Sequence, residues 1–172
     1  MSEKMIPQEG EFAPYYKKYI DQVKSEDIFK VLMDQIESVR FFYEKMGEEK
    51  SNQAYAAGKW SAKEVLGHIS DTDRVMAYRA MCIARGEAQS LPGFDQDEYV
   101  AKGKFNDISM TRLLEEFEMT RYAIVAMCKN FPDSAYQSIG NANETAVSVR
   151  GLIYIIAGHT LHHLSILQER YI

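Results

Sequence analysis

The sequence predicts a single all-α domain, a four-helix bundle spanning residues 1–172, and three observations support this prediction. The chain has only four prolines and ten glycines, and most of them lie between long segments. Within those segments apolar residues recur at spacings of three and four, which is the period of an amphipathic helix. No alternation of apolar and polar residues is long enough to indicate a β-strand. Residues 1–10 are expected to be flexible.

The first long helix is predicted to begin near Asp27, with Ser25 as its candidate N-cap, and to end at Gly47. Its inward face carries residues at helical spacing: Ile28, Val31, Leu32, Gln35, Ile36, Val39, Phe42 and Met46. The preceding residues, 1–24, are rich in aromatic side chains. We expect them to form a short helix or a wrap that packs outside the bundle.

The second helix has the clearest start in the sequence, because Ser61 and Glu64 form a capping-box pattern in which each side chain satisfies a free backbone N–H. Trp60 precedes the cap and is placed to pack against this first turn. The helix is predicted to end near Arg85. Its inward face carries Val65, His68, Ile69, Thr72, Val75, Met76, Arg79 and Cys82.

The third predicted helix runs from about Ser109 to Asn130 and is closed by Pro132, and the fourth runs from about Ser148 almost to the C-terminus. A connection of about twenty residues joins the second helix to the third, which is long for a bundle loop. This connection is therefore either functional or a packed crossover.

Charge and composition exclude several classes of protein. There are 20 Lys and Arg residues against 25 Asp and Glu residues, so the net charge is 20 − 25 = −5, the wrong sign for a nucleic-acid partner. No apolar run approaches the roughly 20 residues of a membrane-spanning helix, and the N-terminus lacks the apolar stretch of a signal peptide. We therefore expect no membrane partner and a cytoplasmic location. Cys82 and Cys128 are expected to be reduced core residues.

Three of the four histidines fall on inward helix faces. His159 and His163 are four positions apart, so they lie about 40° apart on one face, a spacing by which one helix offers two imidazoles to a metal ion. His68 supplies a third ligand if the second and fourth helices are neighbours. Burying three imidazoles without partners is costly, and a shared metal removes that cost. The alternative is that each is a core histidine with its own hydrogen-bond partner.

His162 points about 60° to the other side of His159 and is therefore expected at the rim of the site or against a neighbouring helix. Its spacing of three from His159 leaves a His159/His162 ligand pair as an alternative geometry. We favour His163 as the third ligand.

Three nitrogen ligands leave a divalent ion with an open coordination position, as in catalytic rather than structural sites. Zinc is the first expectation, although nickel, cobalt and iron(II) also accept imidazoles. The glutamate that serves as general base in His-Glu-x-x-His enzymes is absent, because Thr160 follows His159. Asp71 is a candidate general base or partner of a ligand. Since a metal-bound thiol needs no separate strong base, this pattern favours thiol chemistry over hydrolysis.

Arg79 follows His68 by eleven positions and so lies within about 20° of the same helix face. An inward arginine requires an anion. That anion is either a carboxylate of the substrate, which gives Arg79 a role in catalysis, or a glutamate of the third helix, Glu116 or Glu118. The aromatic residues Tyr78, Phe94 and Tyr99 are candidates for the mouth of a pocket or for the core.

These motifs resemble the DinB/YfiT-like family of metal-binding four-helix bundles. Four segments carry the resemblance: Glu11-Phe12-Ala13-Pro14-Tyr15-Tyr16, Gly58 to His68 with its Lys-Trp-Ser-x-x-Glu-x-x-x-His pattern, Phe94-Asp95-Gln96-Asp97-Glu98-Tyr99-Val100, and His159-Thr160-Leu161-His162-His163. The resemblance implies an up-up-down-down bundle, a homodimer, and zinc or nickel held by His68, His159 and His163. Family members are described as metal-dependent hydrolases, and the better understood ones use a low-molecular-weight thiol such as bacillithiol or mycothiol.

Together the residues and the resemblance predict a divalent-metal enzyme that activates a low-molecular-weight thiol cosubstrate or water for attack on a small electrophilic substrate. Its activity would then be that of a thiol S-transferase or a metal-dependent hydrolase. The alternative is a non-enzymatic metal-binding or stress-response bundle protein.

Overall fold

The computed structural model describes residues 5–23 and 27–171. Seven α-helices and one β-hairpin make up the regular structure of this part of the chain. They are α1 (Lys17–Val23), α2 (Ile28–Met46), α3 (Glu48–Ser51), α4 (Ala62–Ala84), α5 (Gln96–Gly103), α6 (Met110–Lys129), β1 (Ile139–Ala142), β2 (Thr145–Ser148) and α7 (Val149–Arg170). Short 3₁₀ turns occupy Pro14–Tyr16, Phe105–Asp107 and Asp133–Gln137.

The four long helices α2, α4, α6 and α7 form the bundle, so the predicted fold class is confirmed. In this arrangement α4 packs against both α6 and α7, and α2 packs against the same two helices. The contact between α4 and α7 brings together the two helices that carry the histidines. No helix of the described residues combines the length and the apolar character needed to cross a bilayer.

Polar side chains cap the start of each long helix. The capping box predicted before α4 is present, since the Ser61 hydroxyl accepts from the Glu64 N–H at 3.1 Å and the Glu64 carboxylate accepts from the Ser61 N–H at 2.7 Å. Asp27 caps α2, whereas the predicted cap Ser25 lies outside the described residues. Ser148 caps α7 through the N–H of Gly151.

The chain also contains a two-stranded antiparallel sheet just before α7, which no alternation in the sequence indicated. Asn143 and Glu144 connect β1 to β2, and both have a positive φ, as a two-residue turn compatible with strand twist requires. The strands are too short to show a period of two. Their position also depends on the crossover, which is the connection between α4 and α6. Leu91 in this crossover exchanges two backbone hydrogen bonds with the turn end of β1.

The N-terminal segment forms the short helix that its aromatic content predicted. Helix α1 lies on α7 and buries Tyr19, Ile20 and Val23 there. Residues 1–4 lie outside the described residues, and the expected flexibility of residues 1–10 stays a prediction; Met5 packs against the core.

A layer of buried polar residues divides the apolar core into two clusters. Each bundle helix contributes one residue to this polar layer: Gln35, Asp73, Arg121 and Thr160. The Arg121 guanidinium donates to Asp73 Oδ2 at 2.5 Å, to Gln35 Oε1 at 2.6 Å and to the Thr160 hydroxyl. Gln35 in turn donates to the Ala157 carbonyl at 2.8 Å. Because these bonds cross all four helices, they hold the register of α7 against α4.

Gly158 allows α1 to approach α7 closely, and this contact is testable. A Cβ at position 158 would lie 2.2 Å from the carbonyl oxygen of Tyr19, which is far inside van der Waals contact. In an unobstructed helix Gly→Ala stabilises by about 0.5–1 kcal/mol. Here we expect Gly158→Ala to lower the free energy of unfolding by about 1–3 kcal/mol, measured by urea denaturation, because backbone must move.

Ser165→Ala is the control for this measurement, since Ser165 lies on the exposed face of the same helix. Its effect should stay within about 0.5 kcal/mol. A stabilising effect of Gly158→Ala would contradict the described contact between α1 and α7.

Candidate metal centre

The three predicted ligand histidines converge between α4 and α7. His68 lies in the second turn of α4, directly above the capping box, and its ring packs on Trp60 with ring centroids 4.8 Å apart. His159 and His163 lie one turn apart on the facing side of α7. Their ligand nitrogens and that of His68 all lie within 4.8 Å of one another.

The Nε2 atoms form the centre of this cluster. His159 Nε2 is 3.1 Å from His68 Nε2 and 3.0 Å from His163 Nε2. Two nitrogens bound at 2.0–2.1 Å to one ion at octahedral or tetrahedral angles are about 2.8–3.4 Å apart, by simple trigonometry on these bond lengths. The spacing therefore fits a shared divalent ion.

Hydrogen bonding alone satisfies the cluster poorly. A neutral imidazole nitrogen has either one N–H or one in-plane lone pair, so His159 Nε2 makes one good hydrogen bond but has two imidazole neighbours. A metal ion instead accepts one lone pair from each ring. The chemistry of the donor set thus fits a metal site, and the roles of His68, His159 and His163 as ligands stay a prediction.

Burial keeps the three imidazoles neutral, which is the form that binds a metal. Desolvation lowers the pKa of His68 to about 4 and that of His163 to about 3. The pKa of His159 is lowered well below its usual value, first by burial and then by the neighbouring histidines. At neutral pH each ring therefore keeps a free lone pair.

His162 lies beside the cluster and not within it. Its ring packs against Tyr19 with ring centroids 5.2 Å apart, and it is absent from the group of converging ligand atoms. This position matches the rim location expected from its helical angle.

A cavity of about 170 Å³ opens beside His68 and His159. It extends along α4 and is closed by α1, α7, the crossover and the hairpin turn. Its lining residues are Tyr15, Tyr16, Tyr19, His68, Thr72, Met76, Arg79, Gly93, Phe94, Gln96, Asn143, Ile155 and His159. Among these residues Arg79 is the one cation and there is no acid. The volume suits a small organic molecule.

Arg79 lies in this cavity, as its position on the histidine face of α4 predicted. The alternative ion pair with the third predicted helix is wrong, since Glu116 pairs with Arg74 at 2.7 Å and Glu118 pairs with Arg40. These glutamates are therefore engaged elsewhere. The contacts of Arg79 itself are to neutral groups, the sulfur of Met76, the carbonyl of Pro92 and the hydroxyl of Tyr16.

Asp71 is not among the side chains whose ligand atoms converge with the histidines. Its carboxylate accepts from Arg74 at 3.4 Å, and burial raises its pKa although Arg74 opposes the shift. Asp71 is also not among the residues that line the cavity. Its proposed catalytic role stays a prediction.

Several cavity residues were not found from the sequence. Tyr15, Tyr16 and Tyr19 were assigned to a segment outside the bundle, and Asn143 belongs to the unpredicted hairpin. The spacing of Tyr15 and Tyr19 by four residues was the available signal, because it places both rings on one helical face. Phe94 was correctly taken as a candidate, whereas Tyr78 and Tyr99 line a neighbouring cavity that also contacts Arg79.

Comparisons with known proteins agree with this fold. The family model of the DinB superfamily matches residues 34–167, which include all three clustered histidines. A protein of Oceanobacillus iheyensis named "Putative metal-dependent hydrolase" is 24% identical over 121 residues, covering 70% of this chain and 69% of that protein.

Among solved structures, YfiT from Bacillus subtilis has a TM-score of 0.76 and 14% sequence identity, covering 95% of this chain and 89% of that chain. That protein is described as "a probable metal-dependent hydrolase with an unusual four-helix bundle topology". At this identity the likeness establishes the fold alone.

Proposed function

This chain belongs to the DinB superfamily, and from that premise we propose that it is a metal-dependent enzyme that activates a thiol for attack on a small electrophile. The observation that carries the proposal is the convergence of three neutral imidazole nitrogens beside a cavity. In this proposal His68, His159 and His163 hold zinc or nickel.

A divalent ion held by His68, His159 and His163 would supply Lewis acidity, which would lower the pKa of a thiol or a water molecule bound to it. The protein contributes orientation and exclusion of water. Trp60 packs on the ring of His68, and the ring of Tyr19 packs edge-on against His159, with centroids 5.7 Å apart. These contacts restrict the rotation of two ligand rings.

The lining of the cavity supports a thiol as nucleophile. Water activation usually needs a nearby base to take the proton, and the described residues that line this cavity include no Asp or Glu. Burial raises the pKa of the Tyr16 and Tyr19 phenols, so both stay protonated at neutral pH and act as hydrogen-bond donors, not bases. A thiol is acidic enough to ionise without such a base.

The proposal predicts metal-dependent conjugation of a thiol to monochlorobimane, in which the sulfur displaces chloride and the thiol proton passes to solvent. Protein reconstituted with zinc or nickel should accelerate this reaction for at least one of cysteine, glutathione and bacillithiol. Fluorescence of the conjugate measures the rate. Chelation of the metal, or His163→Ala, should reduce the rate to that of the uncatalysed reaction.

The matched control is His162→Ala, which removes an imidazole from the same helix turn without removing a clustered ligand. It should remain active. Absence of turnover with all three thiols, in protein that demonstrably holds the metal, would contradict the thiol proposal.

Hydrolysis is the second candidate, and the name "Putative metal-dependent hydrolase" of the Oceanobacillus iheyensis relative supports it. It predicts turnover of activated esters or amides without added thiol. The rate should rise with pH through the pKa of the activated water. An assay with and without thiol on the same metal-loaded protein separates the two reactions.

A further inference from the structure

We infer that the cavity binds a small molecule that carries a carboxylate, and that Arg79 holds this carboxylate. The inference rests on the proposed function only for the role of that molecule as substrate or cosubstrate. It adds the chemical class of the ligand and the residue that selects it.

The first observation is a buried guanidinium without a carboxylate partner. The Arg79 side chain is almost fully buried, with 4% of the residue exposed. It donates to the Pro92 carbonyl oxygen at 2.7 Å and to the Met76 sulfur at 3.6 Å, and it also interacts with the Tyr16 hydroxyl, so its partners are neutral groups. Among the described residues the glutamates on the facing helix α6, Glu116 and Glu118, pair with other arginines. A buried charge left in this state is expensive unless an anion joins it.

The second observation concerns polar atoms that lack partners. In the part of the chain that the structure describes, three buried side-chain polar atoms have no hydrogen-bond partner: Thr72 Oγ1, Arg79 Nε and His159 Nδ1. All three belong to residues that line the cavity. Buried polar groups are nearly always paired in folded proteins, so their clustering at one cavity indicates that a polar ligand completes them.

A structural role explains only part of the Arg79 environment. The bond to Pro92 ties the crossover to α4, but it uses one of five guanidinium N–H donors, and the contacts with Met76 and Tyr16 still leave the Nε–H without a partner. A lysine or a neutral donor would serve the same purpose. The contact does, however, restrain the guanidinium, so that its planar edge is already oriented for a carboxylate.

The charge of the cavity favours an anion as well. Its lining residues include no acid, and Arg79 is the one cation among them, so no side chain of the lining offsets the positive charge of the guanidinium. In a partly enclosed site this charge attracts anions more strongly than it would in open water.

The position of Arg79 also indicates the shape of the ligand. His68, Thr72 and Arg79 follow one face of α4, and the first and last of them are eleven positions apart, a rise of about 16.5 Å. The arginine side chain points back toward the helix N-terminus, which shortens the gap to the histidines. The ligand is therefore a short chain with its carboxylate at one end and its reactive group at the other.

Two-dimensional ¹H–¹⁵N NMR of the Arg79 Nε–H tests the inference directly. The probe is 6-mercaptohexanoate, and 6-mercaptohexanamide is its uncharged match. Arg79→Lys identifies the signal by its disappearance. We expect the acid to shift the Arg79 signal saturably in both chelator-treated and zinc-loaded protein, and the amide to bind about 10- to 100-fold more weakly.

Two controls test whether the shift and the binding are specific to Arg79. The Nε–H of Arg121, already held by Asp73, should not move. Arg79→Lys should weaken binding of the acid at least tenfold, because lysine lacks the planar fork, whereas Arg74→Lys on the same helix should not. If the Arg79→Lys variant fails to fold, the comparison of acid with amide in the wild type still decides the question.

Equal binding of acid and amide, or no shift of the Arg79 signal at saturating acid, overturns the inference. A shift that requires zinc also overturns it, because the inferred contact between the carboxylate and Arg79 does not depend on the ion. Failure of the metal proposal has a different signature. In that case the protein holds no metal, but the acid still shifts the Arg79 signal.

Discussion

Replacement of His68, His159 or His163 by alanine is expected to abolish stoichiometric metal binding. Each variant removes one of three converging nitrogens, and a site with two imidazoles loses the chelate geometry that the 3.0 and 3.1 Å spacings provide. The expected loss of affinity is at least about 100-fold, since even residues behind the ligands account for 10–100-fold. Elemental analysis of protein purified without a histidine tag measures the metal content.

His162→Ala is the matched control, because this imidazole packs on Tyr19 outside the converging group. It should retain about one metal ion per chain. If His162→Ala loses the ion and His163→Ala keeps it, the ligand pair on α7 is His159 with His162. If the wild type holds no zinc or nickel even after reconstitution, the proposed function fails.

Removal of one partner from the polar layer is expected to have the largest effect on stability. Arg121 and Asp73 are both fully buried, and the guanidinium contacts both carboxylate oxygens, at 2.5 and 3.3 Å. Asp73→Leu leaves the buried guanidinium without its carboxylate, and Arg121→Met leaves the buried carboxylate without its guanidinium. Each should lower the free energy of unfolding by about 3–5 kcal/mol. Urea denaturation of metal-free protein, followed by circular dichroism, gives this quantity without a contribution from metal binding.

The double variant provides the decisive comparison. The double variant leaves neither Arg121 nor Asp73 as an unpaired buried charge. It should therefore lower the free energy of unfolding by clearly less than the sum of the two single variants. The exposed pair of Lys102 and Glu98, 2.8 Å apart, is the control, and Glu98→Gln should change stability by no more than about 0.5 kcal/mol. Strict additivity of the two buried substitutions would show that the couple contributes no interaction energy.

The polar layer also connects stability to the candidate site. Thr160 accepts from Arg121 and directly follows His159 on α7. Asp73 follows Thr72, a cavity residue, on α4. The bonds that cross the core therefore hold the two histidine-bearing helices at the register in which their imidazoles meet.

Much of the secondary structure could be predicted because it follows from local rules. The four long helices and the capping box at Ser61 depend on residues within a turn or two of each other. The hairpin before α7 could not be predicted in this way. Its strands have four residues each, and its turn end is held by backbone hydrogen bonds to Leu91, about fifty residues earlier in the chain.

Some features of the candidate site could likewise be predicted from the sequence, whereas others depend on the tertiary structure. The spacing of His159 and His163 is a property of one helix, so it was visible in the sequence. The participation of His68 depended on α4 and α7 being neighbours, which the structure provides. Tyr15 and Tyr19 reach the cavity from the N-terminal segment and Asn143 reaches it from the hairpin turn, and no local pattern relates these two segments to each other or to the histidines.

Arg79 illustrates the difference most clearly. Helical periodicity alone shows that its side chain faces inward on the side of His68. Periodicity does not identify its partner, because that depends on which side chains of other helices are free. In the folded protein Glu116 forms an ion pair with Arg74, and Glu118 forms one with Arg40. The Nε of Arg79, which lies at the cavity, has no hydrogen-bond partner. The sequence specifies the face on which each residue lies, since backbone geometry is local, whereas the pairing of those faces is set by long-range packing.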